Sequence, residues 1–210
     1  MSTYTLLGKP GWGSAIAEAM LSVAGQPYRI EEADPIKPGP GRDRLQALNP
    51  LVQVPTLLLP DGTVMTESAA IALRLAELAP QAGLAPTADS PDRAAFLRWL
   101  LFLVAAVYPT FTFGDFPERY LADPAAQKEF RGNVDALAQR LWRQVEGAAA
   151  ADPWFLPGGF SALDIYVTVM TRWRPRRPWF AANCPKLTAI ALKGDTEPRL
   201  AQVWARNFPA

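Results

Sequence analysis

The spacing of apolar residues along this chain changes character once, near residue 80. Before it, short β-prone runs alternate with helical stretches. Thr3 to Leu7 reads as a strand, Ser14 to Ala24 as a helix with Ile16, Met20 and Val23 on one face and Gly25 as its stop, and Tyr28 to Glu32 as a second strand. The prolines and glycines of Asp34-Pro35-Ile36-Lys37-Pro38-Gly39-Pro40-Gly41 predict a loop, and Arg42 to Leu48 an irregular helical turn. Thr56 to Leu59 and Thr63 to Met65 form a hairpin around Pro60-Asp61-Gly62, where glycine supplies a positive φ. Ser68 to Ala79 then places Ile71, Leu75 and Leu78 at helical spacing.

A βαβ unit followed by a ββα unit is the thioredoxin-like arrangement, and it closes near residue 79. Residues 80–90 form a linker. From 91 to 210 every periodic segment repeats near 3.6: Phe96, Leu100, Leu103 and Val107; Phe130, Val134, Leu137, Leu141 and Val145; Leu163, Tyr166, Met170 and Trp173. The expected fold is therefore an α/β domain over 1–79 joined to an all-helical bundle over 91–210, ending in helices around Leu187 to Leu192 and Arg199 to Phe208. Ala162 to Met170 is apolar on nearly every face and predicts the buried central helix, opened by the capping box Ser161-Ala162-Leu163-Asp164. Asp164 is accordingly a folding determinant.

Composition narrows the chemistry. Half of the 210 residues are hydrophobic, and 21 basic against 20 acidic groups leave a net charge of +1. Without a basic stripe, nucleic acid is excluded as the main partner. The run Arg172-Trp173-Arg174-Pro175-Arg176-Arg177 reads as positive charge at a helix C-terminus stopped by Pro175. The N-terminus lacks a secretory pattern and no 18-residue charge-free apolar run occurs, so the expectation is a cytoplasmic protein without a membrane partner. One cysteine, Cys184, and no histidine exclude an internal disulfide, the usual zinc ligands and a histidine base; no metal is expected.

The chemistry gathers around Asn49-Pro50-Leu51-Val52-Gln53-Val54-Pro55-Thr56-Leu57 and the later Thr66-Glu67-Ser68-Ala69-Ala70-Ile71. Pro55 cannot donate to a β-ladder, so it belongs at the first residue or edge of its strand, in a cis bond that suits a tight turn. Val54 then keeps its own N–H and C=O for a ligand. Glu67 and Ser68 open a helix, whose dipole and unpaired N–H groups favour an anion. Capping alone would explain Ser68 but not Glu67. The combination describes a peptide-like ligand carrying a carboxylate and an ammonium.

That combination resembles the glutathione site of the cytosolic glutathione S-transferases, and the resemblance covers almost the whole chain. It implies that Val54, before a cis Pro55, aligns the cysteinyl backbone, that Glu67 and Ser68 hold the γ-glutamyl end, and that Gln53 holds the glycine carboxylate. It also implies a homodimer with glutathione as co-substrate, acting in detoxification. The thioredoxin-like fold aims a reactive group at the start of its first helix, here the turn Gly8-Lys9-Pro10-Gly11-Trp12-Gly13-Ser14. Gly11 stands where serine classes of the family carry their hydroxyl and Gly13 where cysteine classes carry their thiol. Ser14 is the nearest hydroxyl, either stabilising the thiolate or capping the helix. Trp12 with Tyr108, Phe111 and Phe113, the last three expected beyond the end of the first long helix, would wall a pocket for a small apolar electrophile. The leading expectation is a transferase. The alternatives are a non-catalytic binding or scaffold protein of the same fold, and a maleylacetoacetate-isomerase-like enzyme whose Ser-Ser-Cys turn is missing here.

Overall fold

A computed structural model of the chain describes residues 3–209. They divide between two compact units, one built from the residues up to Thr87 together with those from Gly194 onward, the other from Ala88–Lys193. The first unit carries strands β1 (Tyr4–Gly8), β2 (Tyr28–Glu32), β3 (Thr56–Leu58) and β4 (Val64–Met65) in the spatial order β2-β1-β3-β4. β1 runs parallel to β2 and antiparallel to β3, which runs antiparallel to β4. Helices α1 (Ser14–Val23), α2 (Pro40–Leu48) and α3 (Ser68–Leu78) complete the thioredoxin-like order that the sequence predicts. β1 is buried along its whole length, as a strand with neighbours on both sides and helices on its faces must be.

Two local expectations change. The segment expected to be an irregular turn is the nine-residue helix α2, because Pro40 sits in its first turn, where the missing N–H costs nothing. Pro40 is a helix opener rather than a breaker. The second change is at the C-terminus: α10 (Ala201–Asn207), expected in the helical bundle, packs on α1 in the first unit. Periodicity of 3.6 shows that a helix has an apolar face, not which core that face meets.

In the second unit α4 (Arg93–Phe102) runs through a π-helical turn at Leu103–Val107 into α5 (Tyr108–Asp115), followed by α6 (Pro124–Ala148), α7 (Ala162–Met170) and α8 (Arg177–Asn183); α9 (Pro185–Asp195) ends at the boundary. The first long helix therefore does not stop before Tyr108. Pro109 cannot donate to Ala105 and its ring would strike that carbonyl, and the wider π turn absorbs the conflict. Arg93–Asp115 is long and apolar enough to cross a membrane by length and composition, yet its Phe96, Leu100, Leu103 and Val107 stripe is buried within the unit, as in a core helix. Of the arginine run, Arg177 donates to the Thr168 carbonyl in the last turn of α7 at 3.0 Å, while Arg174 pairs with Asp115 and Asp135 instead.

All nine residues of α7 are buried, and its start is fixed as the sequence predicts. Asp164 accepts from the Ser161 N–H at 2.7 Å and from the Phe155 N–H at 2.7 Å, while Ser161 Oγ accepts from the Leu163 N–H at 3.2 Å. Burial pushes the Asp164 carboxyl up to about 6, only partly offset by these donors. Asp164→Ala would leave two buried N–H groups without an acceptor, at about 1–3 kcal/mol each. Urea unfolding should therefore show a loss of at least about 2 kcal/mol; a loss near zero would mean that the loop before α7 finds other partners.

Candidate functional site

The sheet register collects three chain segments at one end. Leu7 of β1 is opposite Thr56 of β3, and Leu57 opposite Met65 of β4. Where β1 runs out into the turn before α1, β3 therefore begins, just after Val54-Pro55, and β4 runs out through Thr66-Glu67 into α3. The start of two helices and an open strand entrance share that end.

At the strand entrance the Val54–Pro55 bond is cis. Val54's N–H and C=O find no hydrogen-bond partner among the described residues, whereas Thr56–Leu58 are paired in the ladder. The preceding loop is held from behind by Asn49, which is buried and donates to the Gln53 carbonyl at 3.2 Å and to Thr56 Oγ1 at 3.1 Å. The Thr56 hydroxyl adds a bond to the same Gln53 carbonyl at 2.8 Å. Val54 rests its side chain on the Leu7, Ala33 and Leu45 cluster, so its backbone faces away from the core while the Gln53 side chain is exposed. Val52, β-branched yet at φ 52°, carries strain of the kind found at ligand clamps. The sequence signalled Asn49 only as part of a motif; its role as the loop's anchor emerges from the bonds.

At the start of α3 the N-cap position belongs to Glu67, at φ 61° and ψ 101°, and no side chain caps the helix there. Ser68 is the first helical residue rather than the cap. Glu67's carbonyl receives the Ile71 N–H at 3.0 Å, and its side chain is exposed. A strained acidic residue directly in front of a helix start sets the positive end of the helix dipole toward a ligand's carboxylate and a carboxylate of its own toward a ligand's ammonium.

The turn before α1 is tied by Ser14. Its Oγ accepts the Lys9 N–H at 3.0 Å and donates to the Lys9 carbonyl at 2.9 Å, closing the turn on itself. Gly13 holds the N-cap position, so Ser14 caps the turn and not the helix, and its hydroxyl proton has a backbone acceptor. Gly8 makes room for this: a Cβ there would lie 2.6 Å from Ser14 Cβ and 2.7 Å from Oγ. Gly11, at φ 76°, donates its N–H to Asn207 Oδ1 at 3.2 Å. The N–H groups of Gly13 and Ser14 have no acceptor among the described residues. Lys9 Nζ lies 4.3 Å above the Trp12 ring and bonds Asp34 at 2.7 Å, fixing the half-buried indole in the turn.

In the helical unit Tyr108 meets Phe111 edge-on at 6.0 Å and Trp173 at 5.5 Å, while Phe113 meets Tyr120 at 5.1 Å. These residues are on α5 and not beyond a helix end. Phe111 is buried, and burial raises the Tyr108 phenol, which stays neutral. The cavity that Phe111 borders with Thr110, Asp135, Ala138, Gln139, Arg174 and Pro175 is about 70 Å³, too small and too charged for an apolar ligand.

Burial alone would raise the Asp34 carboxyl, but the Lys9 hydrogen bond, the Ile36 and Lys37 N–H groups and the Lys9 charge together bring it down to about 2. A depressed carboxylate stabilises the fold above its unfolded value and loses that contribution as pH falls through the folded one. Stability should thus drop between about pH 4 and pH 2, and Lys9→Met should flatten that drop and move the Asp34 titration, followed by NMR, toward ordinary values. An unmoved titration in Lys9→Met would show that the loop N–H groups set the shift alone.

A family model for the glutathione S-transferase N-terminal domain matches residues 14–78. The uncharacterized GST-like protein YncG of Escherichia coli K12 is 39% identical over 201 residues, which cover 95% of this chain and 96% of that protein. Glutathione S-transferase GstA of Escherichia coli O157:H7 is 29% identical over 80% of this chain and 81% of its own length. Among solved structures, a Sulfitobacter glutathione transferase homologue with bound glutathione has a TM-score of 0.82 at 27% identity, covering 97% of both chains. A sphingomonad glutathione S-transferase complexed with glutathione has a TM-score of 0.80 at 27% identity, covering 98% of this chain and 100% of that one. With thioredoxin-like and helical units in the same order, and with identity running along nearly its full length, the chain belongs to the glutathione S-transferase family.

Proposed function

We propose that the protein is a glutathione transferase, joining the glutathione thiolate to a small apolar electrophile. The observation that carries this reading is the open Val54 backbone at the same sheet end as two helix starts. Val54 and Pro55 would align the cysteinyl backbone, Glu67 the γ-glutamyl ammonium, the start of α3 at Ser68 the γ-glutamyl carboxylate, and Gln53 the glycine carboxylate. The glutathione-bound structures of relatives support the assignment. The same reading, from the family resemblance, makes the protein a cytoplasmic homodimer acting in detoxification.

The thiol would meet the turn before α1. Lowering a thiol near pKa 8.5 by about two units takes roughly 2.7 kcal/mol of preference for the thiolate. One hydrogen bond to a charged group supplies about 1.5–3 kcal/mol. The Gly13 and Ser14 N–H groups, at the positive end of α1, are of the right kind and number, so Ser14 contributes through its backbone while its hydroxyl keeps the turn closed. Trp12, partly exposed in the turn before α1, would contact the electrophile.

A second reading, a glutathione-binding protein without turnover, is favoured by glycine at both positions 11 and 13 and by the engaged Ser14 proton. Calorimetry with glutathione and turnover of an aryl halide separate the two. Binding with turnover is the expected outcome, binding alone establishes the second reading, and no binding defeats both. Glu67→Ala should weaken binding roughly ten- to a hundredfold, the equivalent of about 1.5–3 kcal/mol. In Ser14→Ala the pKa of bound glutathione, read from thiolate absorbance, should stay in place although the protein loses stability. A rise of about one unit would assign the hydroxyl the stabilising role instead.

A further inference from the structure

Glu18 is an acidic residue on α1 that is 3% exposed, and its carboxylate is held by Tyr28 of β2 and by Arg206 and Asn207 of α10. Oε1 accepts from Arg206 Nη1 at 2.7 Å and from the Tyr28 hydroxyl at 3.3 Å, and Oε2 accepts from Asn207 Nδ2 at 2.8 Å. Asn207, the last residue of α10 and 6% exposed, donates from the same Nδ2 to the Val203 carbonyl at 3.0 Å. Two acceptors on one side of the amide settle which way round it sits, so its oxygen must face the other way. That oxygen takes the Gly11 N–H at 3.2 Å. Residue 11 also sits close to the end of α10, since a Cβ there would meet the Asn207 carbonyl at 3.4 Å and the following Phe208 ring at 3.8 Å.

We propose that Asn207 is a positioning residue: oriented by the buried Glu18, it pins the Gly11 N–H and so fixes the left-handed bend that sets the direction of the Gly13 and Ser14 N–H groups. The last helix of the chain is then a working part of the glutathione-binding unit. The bend needs a fixed acceptor because Pro10 has no N–H to contribute and glycine at φ 76° has no side chain to hold it. Glu18 and Asn207 together form a polar link in which each buried group is satisfied by the next. The final step, from the bend to the thiolate, rests on the glutathione reading above; the link itself does not.

The test is amide hydrogen exchange at Gly11, followed by NMR in the protein without ligand, alongside glutathione binding to the unmodified chain. Asn207→Leu keeps the branched heavy-atom skeleton and removes the acceptor, and Gly11 should exchange roughly tenfold faster, the equivalent of one hydrogen bond. Val23→Ala, a buried change at the far end of α1, is the control for general loss of stability and should leave Gly11 protected relative to global unfolding. Where glutathione binds, Asn207→Leu should also raise the pKa of the bound thiol, which Val23→Ala should not do. In the unmodified protein, native-state exchange under rising urea should release Gly11 together with the Trp204 to Asn207 amides, a measurement that needs no variant to fold. Gly11 exchanging independently of α10, or equally in Asn207→Leu and the control, overturns the proposal. Absence of glutathione binding would remove the functional reading and leave the exchange result to decide the link.

Discussion

Backbone N–H and C=O groups that leave a β-ladder must find other partners, water or a ligand, and this sheet leaves several of them at one end. The antiparallel pairing of β1 with β3 and of β3 with β4 puts the exit of one strand beside the entrance of the next. The helix starts of α1 and α3 follow from the same register, because each helix begins within a few residues of a strand's exit. A shift of the register by one residue would turn Leu57 out of the core and carry Val54 to the opposite face. The open strand entrance and the core are therefore specified by one set of pairings.

Keeping that end open requires the loops to be rigid without using the groups they present. The protein does this from behind. Asn49 and Thr56 occupy the Gln53 carbonyl and leave Val54 without a partner among the described residues, while Ser14 Oγ occupies the Lys9 N–H and carbonyl and Asn207 takes the Gly11 N–H. In each case a short polar side chain ties the loop through its backbone. Glycine is needed where these loops touch: at position 8 any side chain would fall on Ser14.

The strand and helix order up to residue 79 was legible because each element has its own period and its own stop, as with Gly25 after α1 and Gly62 in the hairpin. The cis Val54–Pro55 edge and the Glu67-Ser68 helix start were legible as motifs, since proline and an acidic-serine pair restrict what the backbone can do. Pro40 misled because proline breaks a helix interior but opens a helix first turn, and the sequence does not say which position it holds. Pro109 misled in the opposite sense, its conflict absorbed by a π turn inside a continuous helix. The Ser14 bonds, Asn49's support of the loop and the Asn207 link were not legible at all. They join residues by geometry, up to 196 positions apart in the case of Gly11 and Asn207, and no local pattern encodes such a distance.

The glycines at 11 and 13 look like a loss only if thiolate stabilisation must come from a side chain. A side-chain hydroxyl at either place would supply one donor, whereas the bare turn leaves two consecutive N–H groups without an acceptor among the described residues at the positive end of α1, held in direction by Ser14 and Asn207. A backbone donor cannot rotate away and needs no ordering when the ligand arrives, so its contribution depends on how firmly the turn is fixed. On the proposed transferase reading, rigidity of Lys9 to Ser14 would stand in for the missing hydroxyl. The same argument explains why a buried carboxylate, Glu18, is worth its desolvation here: satisfied by Arg206, Asn207 and Tyr28, it anchors the amide that the turn is built on.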